Sequence, residues 1–192
     1  MRVVGGRAGG MRLECPPGRD VRPIPDMARE GIFNILRDYV EKSNVLDLFA
    51  GAGTVGIEAL SRGAAWCVFV EKSPVARQTL ERNLAHTGLA EFCDVLQRDA
   101  FDCIEALKGL GKVFDFVYLG PPFPMWHNAR EYDALIDLLD RVAEAGLLKP
   151  NGAVVAQHEP ATPLPERTRR LVQFDRRTYG RNVFTMYESP TS

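Results

Sequence analysis

The segment Asp47-Leu-Phe-Ala-Gly51-Ala-Gly53-Thr-Val-Gly56 constrains this chain more than any other stretch. It leaves an apolar run and enters residues with helical spacing, which reads as a strand, a tight turn and a helix start. Glycines let the backbone turn sharply and approach a ligand where a Cβ would clash. The helix N-terminus beyond offers free N–H groups to a negatively charged moiety. Glu71 follows 20 residues after Gly51, at the end of the next apolar run. A carboxylate there can accept both hydroxyls of a ribose. Gly51, Gly53 and Gly56 also have the spacing of a dinucleotide fingerprint. Asp47 separates the two readings. Four residues before the first glycine, a carboxylate suits the cationic methionine end of S-adenosylmethionine and not a pyrophosphate.

The surrounding pattern is a regular alternation. Apolar runs at 45–50, 67–70, 94–97, 114–119 and 153–157 read as strands. Helical stretches are expected at 26–37, capped by Asp26, and at 53–62, 74–86, 101–107 and 132–143. This predicts an α/β fold with a mostly parallel sheet and helices on both faces. Residues 1–4 and 11–15 predict a short hairpin before the first helix. The runs 169–174 and 183–187, with no long helix between them, predict an antiparallel hairpin at the sheet edge. The division expected is a basic extension over 1–25 and one domain over 26–192.

The formal net charge of −1 hides an asymmetry. Residues 1–25 carry five Arg against Glu14 and Asp20, and residues 166–192 carry six Arg against Glu166, Asp175 and Glu188. The middle is acidic. Arginine-rich ends on an acidic body are suited to docking a polyanion, or are simply solvated. Cys15, Cys67, Cys93 and Cys103 form no C-x-x-C pair, and none is spaced with His86, His127 or His158 as metal ligands are. Four reduced thiols, a cytoplasmic location and no metal are the expectation. No apolar run approaches membrane-spanning length.

Two further positions carry chemistry. Asp99-Ala100 follows the third strand, where ligands of doubly wound sheets sit. Asp99 is placed to meet an adenine amino group, to cap the next helix, or both. Gly120-Pro121-Pro122-Phe123 ends the fourth strand.

At this point the chain resembles a family. The stretch from Asp47 through Glu58 to Arg62-Gly-Ala is similar to the cofactor segment of the bacterial 16S ribosomal RNA guanine-N2 methyltransferases. So are the preceding Arg22-Pro-Ile-Pro-Asp26-Met-Ala-Arg29-Glu30-Gly-Ile-Phe33-Asn34-Ile-Leu36, the opening Met1-Arg-Val-Val-Gly5-Gly6, Gln157-His158 and the tail Arg177-Thr-Tyr179-Gly180-Arg181-Asn-Val-Phe. The resemblance runs through essentially the whole chain. It implies a Rossmann-like class I methyltransferase with a mostly parallel seven-stranded sheet, an antiparallel C-terminal hairpin and a small N-terminal extension. It implies S-adenosylmethionine as cofactor. Asp47, Gly51 and Gly53 would line its methionine part, Glu71 would hold the ribose and Asp99 with Ala100 the adenine, with Phe49 and Lys72 as further cofactor-binding residues. The reaction would transfer methyl to the exocyclic N2 amine of one guanine in the 16S RNA of the small ribosomal subunit. The protein acting on it is expected to be a monomer.

A guanine N2 lone pair is delocalised into the ring. Methyltransferases of exocyclic amines commonly meet this with Asp/Asn-Pro-Pro-Tyr/Phe, whose side chain and Pro carbonyl accept the two N–H groups while the aromatic ring stacks on the extruded base. This chain departs there: Gly120 stands where Asp would, with Pro121, Pro122 and Phe123 retained. Losing a charge-assisted hydrogen bond costs about 2–4 kcal/mol of barrier, roughly 30- to 1000-fold in rate. Backbone carbonyls of Gly120 and Pro121 could suffice, or Asp26 or Glu30 could take over, or the chain could bind RNA in ribosome assembly with little or no catalysis. A nicotinamide oxidoreductase rests on glycine spacing alone. A relative methylating DNA or protein amides is opposed by the 22–36 block. Arg7, Arg12, Arg22, Arg177 and Arg181 are the candidate RNA-phosphate contacts, with surface charge as the plain alternative. Trp126 and His127 would touch a flipped base or pack in a lid.

Overall fold

A computed structural model describes residues 1–16 and 24–190. Arg22, one of the candidate RNA contacts, lies outside the described residues. Seven strands form one sheet: β1 (Asn44–Leu48), β2 (Trp66–Val70), β3 (Cys93–Leu96), β4 (Phe114–Leu119), β5 (Leu148–His158), β6 (Val172–Tyr179) and β7 (Asn182–Glu188). Their order is β3-β2-β1-β4-β5-β7-β6. The first five in that order pair in parallel, and β7 and β6 add antiparallel. The direction in which the chain winds across the sheet reverses between β1 and β4, so a crevice opens at the carboxyl ends of those neighbours.

Helices α1 (Asp26–Ile35), α2 (Arg37–Val40), α3 (Thr54–Ser61), α4 (Pro74–Thr87), α5 (Ile104–Gly109), α6 (Phe123–His127) and α7 (Ala129–Glu144) connect the strands. Strand side chains alternate between two cores, as a pleat with helices on both faces requires. Val45, Phe69, Phe116, Tyr118, Val155 and Phe184 face the core beneath α1, α3 and α4. Leu46, Val70, Val117, Leu119, Val154 and Tyr187 face the core beneath α5 and α7. Helix α7 buries Leu135, Leu138, Leu139 and Val142, one stripe at helical spacing.

Several boundaries differ from the sequence reading for identifiable reasons. Asp26 does not cap α1; Pro25 precedes the helix, and the Asp26 carboxylate pairs with Arg2 at 2.7 Å and Arg29 at 2.9 Å. The helix expected at 101–107 divides into a 3-10 turn, Ala100–Asp102, and α5. Strand β6 starts later than 169 because the Arg169 and Arg170 N–H groups donate to the buried Asp140 carboxylate. It continues through Arg176 and Arg177 because an edge strand keeps one polar side. The Pro-Pro-Phe stretch at the end of the fourth strand leads directly into the short helix α6, which begins at Phe123.

Residues 1–13 form the hairpin expected, with Arg2 bridged to Arg12 and Val3 and Leu13 buried. Glu58, fully buried on α3, holds it: its carboxylate accepts the Val4 and Gly5 N–H groups at 2.7 and 2.8 Å and pairs with Arg29 and Arg62. Glu30 is exposed, and Arg29 pairs with Asp26 and Glu58. No helix of the described residues is long and apolar enough to cross a membrane.

Candidate active site

A cleft of about 680 Å³ lies at the carboxyl ends of β1, β2 and β4. Its walls include Asp47, Phe49, Gly51, Glu71, Lys72 and Ala100, together with Gly120, Pro121, Pro122 and Phe123. The cofactor segment and the Pro-Pro-Phe segment, far apart in sequence, therefore share one cavity.

The turn after β1 is shaped by its backbone. Phe49 has φ 62° and Gly51 φ 58°. The left-handed conformation is unusual for an aromatic residue, and such strain gathers at ligand sites. A Cβ on Gly51 would find no protein atom nearer than 4.0 Å, so the backbone there faces open cleft. Gly53 and Gly56 serve packing instead. A Cβ at Gly53 would come within 2.1 Å of Leu80, and one at Gly56 within 2.2 Å of the Phe69 ring and 2.6 Å of Cys67 Sγ. Gly53 is not part of the cleft wall; it lets α3 start against α4.

Glu71 is 5% exposed. Its two carboxylate oxygens accept the Gly51 N–H at 2.8 Å and the Ser73 N–H at 2.7 Å. Each oxygen keeps a lone pair for a further donor, so the group is aimed before any ligand arrives. Asp47 is 1% exposed and accepts the Gly56 N–H at 2.9 Å. Burial pushes its carboxyl up to about 7, against the opposing hydrogen bond, with the Glu71 charge adding to the rise. A carboxylate so short of compensation favours a cation in the cleft. Asp99 accepts the Phe101 N–H at 3.1 Å, a cap, and pairs with Lys72 at 3.1 Å. It stands beside the cleft rather than on its wall.

Across the cleft, α6 carries Trp126 into the core, where its indole N–H donates to the Gln157 carbonyl at 2.9 Å. His127 lines the cleft and lies 3.0 Å from Glu159, which also takes Arg181 at 2.7 Å. Arg181 is thus on the cleft rim. Arg7 lies over the Phe92 ring at 4.3 Å, Arg177 pairs with Asp175 at 3.0 Å, and Arg12 is exposed. These last three do not line the cleft. Sequence reasoning missed Tyr118, Glu159 and Asn182 on its wall, and it gave Gln157 no role. The signal for Tyr118 was available: two residues before Gly120 on a strand is the same face.

The donors and acceptors fit a nucleoside with a cationic tail. Glu71 offers paired acceptors for a diol, Asp47 a counter-charge, and Gly51 an unobstructed backbone.

The fold with this cleft is that of the class I methyltransferases. Residues 1–188 match the family described as conserved hypothetical protein 95. The chain belongs to that family, which includes the ribosomal RNA small subunit methyltransferase D proteins. It is 35% identical to YlbH of Bacillus subtilis over 188 residues, covering 98% of each chain. It is 29% identical to the ribosomal RNA small subunit methyltransferase D of Haemophilus influenzae, covering 98% of this chain and 94% of that one. A solved hypothetical protein of Thermus thermophilus superposes with a TM-score of 0.81 at 33% identity, covering 98% and 99% of the two chains.

Proposed function

We propose that this chain transfers a methyl group from S-adenosylmethionine to the N2 amine of a guanine in 16S ribosomal RNA of the small subunit. The observation that carries the reading is the shared cavity: Asp47, Gly51 and Glu71 line the same cleft as Gly120-Pro-Pro-Phe123. The Haemophilus relative, named for small-subunit RNA methylation, supports the substrate class.

Bound in the cleft, S-adenosylmethionine supplies an electrophilic methyl on a sulfonium sulfur. The chain's residues do the rest. Glu71 takes the ribose hydroxyls, Asp47 balances the cationic end, Phe49 and Lys72 border them, and Ala100 backs the adenine with Asp99 beside it. Pro121 directs a carbonyl at one amine N–H, and the Phe123 ring stacks on the extruded base. An amine that has accepted methyl loses its proton to water, so no buried base is needed.

Arg181 on the rim, with Arg7, Arg12 and Arg177 further out, meets RNA phosphates in this reading, and Arg22, outside the described residues, is a further candidate by sequence. Residues 1–25 serve as a basic platform on a methyltransferase domain spanning 26–192. Glu58 supports that role by fixing the first hairpin turn against α3. One observation favours a second reading, a weakly catalytic assembly protein: no carboxylate stands at position 120.

The test is nucleoside mass spectrometry of small subunits from cells lacking native guanine-N2 methylation, after incubation with protein and cofactor. One N2-methylguanosine per subunit is expected. Methylation of adenine, or of free nucleic acid without positional preference, would refute the substrate assignment.

A further inference from the structure

Something in the cleft has to take the amine N–H that an Asp at position 120 would accept. The carboxylates on the described part of the wall have other partners in this reading. Asp47 and Glu71, each anchored by backbone N–H groups, are assigned to the cofactor, and Glu159 is held by His127 and Arg181. Asp26 is tied to Arg2 and Arg29 and does not line the cleft, and Glu30 is exposed away from it.

The space beside Gly120 is filled by Tyr118. A Cβ on Gly120 would lie 2.5 Å from Tyr118 Cε1 and 3.3 Å from its hydroxyl oxygen. A side chain at 120 would thus project into the volume the phenol holds. The hydroxyl is also oriented. It donates to Gln157 Oε1 at 2.5 Å, while Gln157 Nε2 donates to Asn182 Oδ1 at 2.7 Å. With the amide nitrogen committed to Asn182, Gln157 presents only an acceptor to Tyr118. The phenol must spend its proton there, and its lone pairs are left for another donor. Tyr118, Gly120, Gln157 and Asn182 all line the cleft.

We propose that the Tyr118 hydroxyl oxygen, fixed as a donor to Gln157, accepts an N–H of the substrate's exocyclic amine in place of a side chain at position 120. This rests on reading the cleft as a methyl-transfer site. Burial and the neighbouring Asp47 raise the phenol well above its ordinary value, which keeps it neutral and its proton in place. A neutral oxygen accepts more weakly than a carboxylate, but Tyr118 is buried, and each hydrogen bond counts for more where solvent is screened out. Gln157 is the positioning residue and Tyr118 the one that touches substrate.

The experiment compares Tyr118→Phe, Gln157→Leu and the double variant with the natural chain, using small subunits as substrate. Tyr118→Phe keeps the ring and is expected to lower turnover roughly 10- to 100-fold. S-adenosylmethionine affinity and the KM for subunits should stay within about twofold. Gln157→Leu should fall less, because the hydroxyl remains but is free to turn. The double variant should fall no further than Tyr118→Phe, since both changes act on one oxygen. Natural turnover by Tyr118→Phe, or additive losses in the double variant, would overturn the proposal while leaving the enzyme reading intact. No transfer by the natural chain, with cofactor bound, would remove that reading and this proposal together.

Discussion

At the scale of single residues, the site is set by groups whose surroundings leave them incompletely satisfied. Asp47 illustrates this. Its folded-state value of about 7 lies above the ordinary 3.8, so folding takes up a proton between those limits. Its contribution to stability is fully present below about pH 4 and is lost as the pH rises through about 7. Asp47→Asn should therefore stabilise the ligand-free protein at pH 8 by a few kcal/mol and barely alter it at pH 4. Denaturant melts at the two pH values check this. The same variant should weaken S-adenosylmethionine binding by at least about tenfold, through loss of the counter-charge. Equal effects at both pH values would argue against burial as the cause. Gly120→Ala should cost about 1–3 kcal/mol, because its Cβ meets the packed Tyr118 ring, and a thermal melt reads it. The glycine turn and Glu71 were legible in the sequence because their spacing is local. The place of Tyr118 beside Gly120 was legible from their spacing, but its bond to Gln157 was not, because a hydrogen bond between residues 39 apart is created by β4–β5 pairing and leaves no pattern in the chain.

At the scale of elements, the chain uses buried charge and small residues for docking. Gly56 lets α3 lie on β2 against Phe69 and Cys67, so Gly56→Ala should destabilise by about 1–3 kcal/mol through overpacking. Glu58 anchors the N-terminal hairpin. Glu58→Ala leaves Arg29 without its buried carboxylate partner and frees two backbone N–H groups, a loss of about 3–5 kcal/mol. Hydrogen exchange should rise first at Val4 and Gly5; unchanged protection there would show that the hairpin is held otherwise. The alternation of strands and helices was readable because the central strands are apolar runs and the long helix α7 has its buried stripe. Helix α6 was hidden, since Pro-Pro-Phe looks like a breaker although a proline is tolerated in a first helical turn. The start of β6 was hidden because a distant carboxylate, Asp140, captures the N–H groups of Arg169 and Arg170.

At the scale of the whole molecule, sheet order concentrates function. The β1–β4 reversal brings two sequence motifs to one cleft, and the β7–β6 hairpin places Arg181 on its rim. Tyr179 packs so closely over Gly31 that a Cβ there would come within 2.2 Å of its hydroxyl, so the 22–36 and 177–184 segments meet. That meeting could not be read from either segment alone. If the arginines contact phosphates, Arg181→Ala should lower RNA affinity at every sequence tested and reduce the salt slope by about one. An unchanged slope would assign Arg181 to Glu159 alone. Everything proposed for the cleft requires that this chain, with glycine at 120, be a working methyltransferase of small-subunit RNA. Transfer of labelled methyl from S-adenosylmethionine to unmethylated small subunits by the natural protein measures that property itself. Label on a single guanine is the expected result. Absence of label, with cofactor binding confirmed by calorimetry, would contradict it.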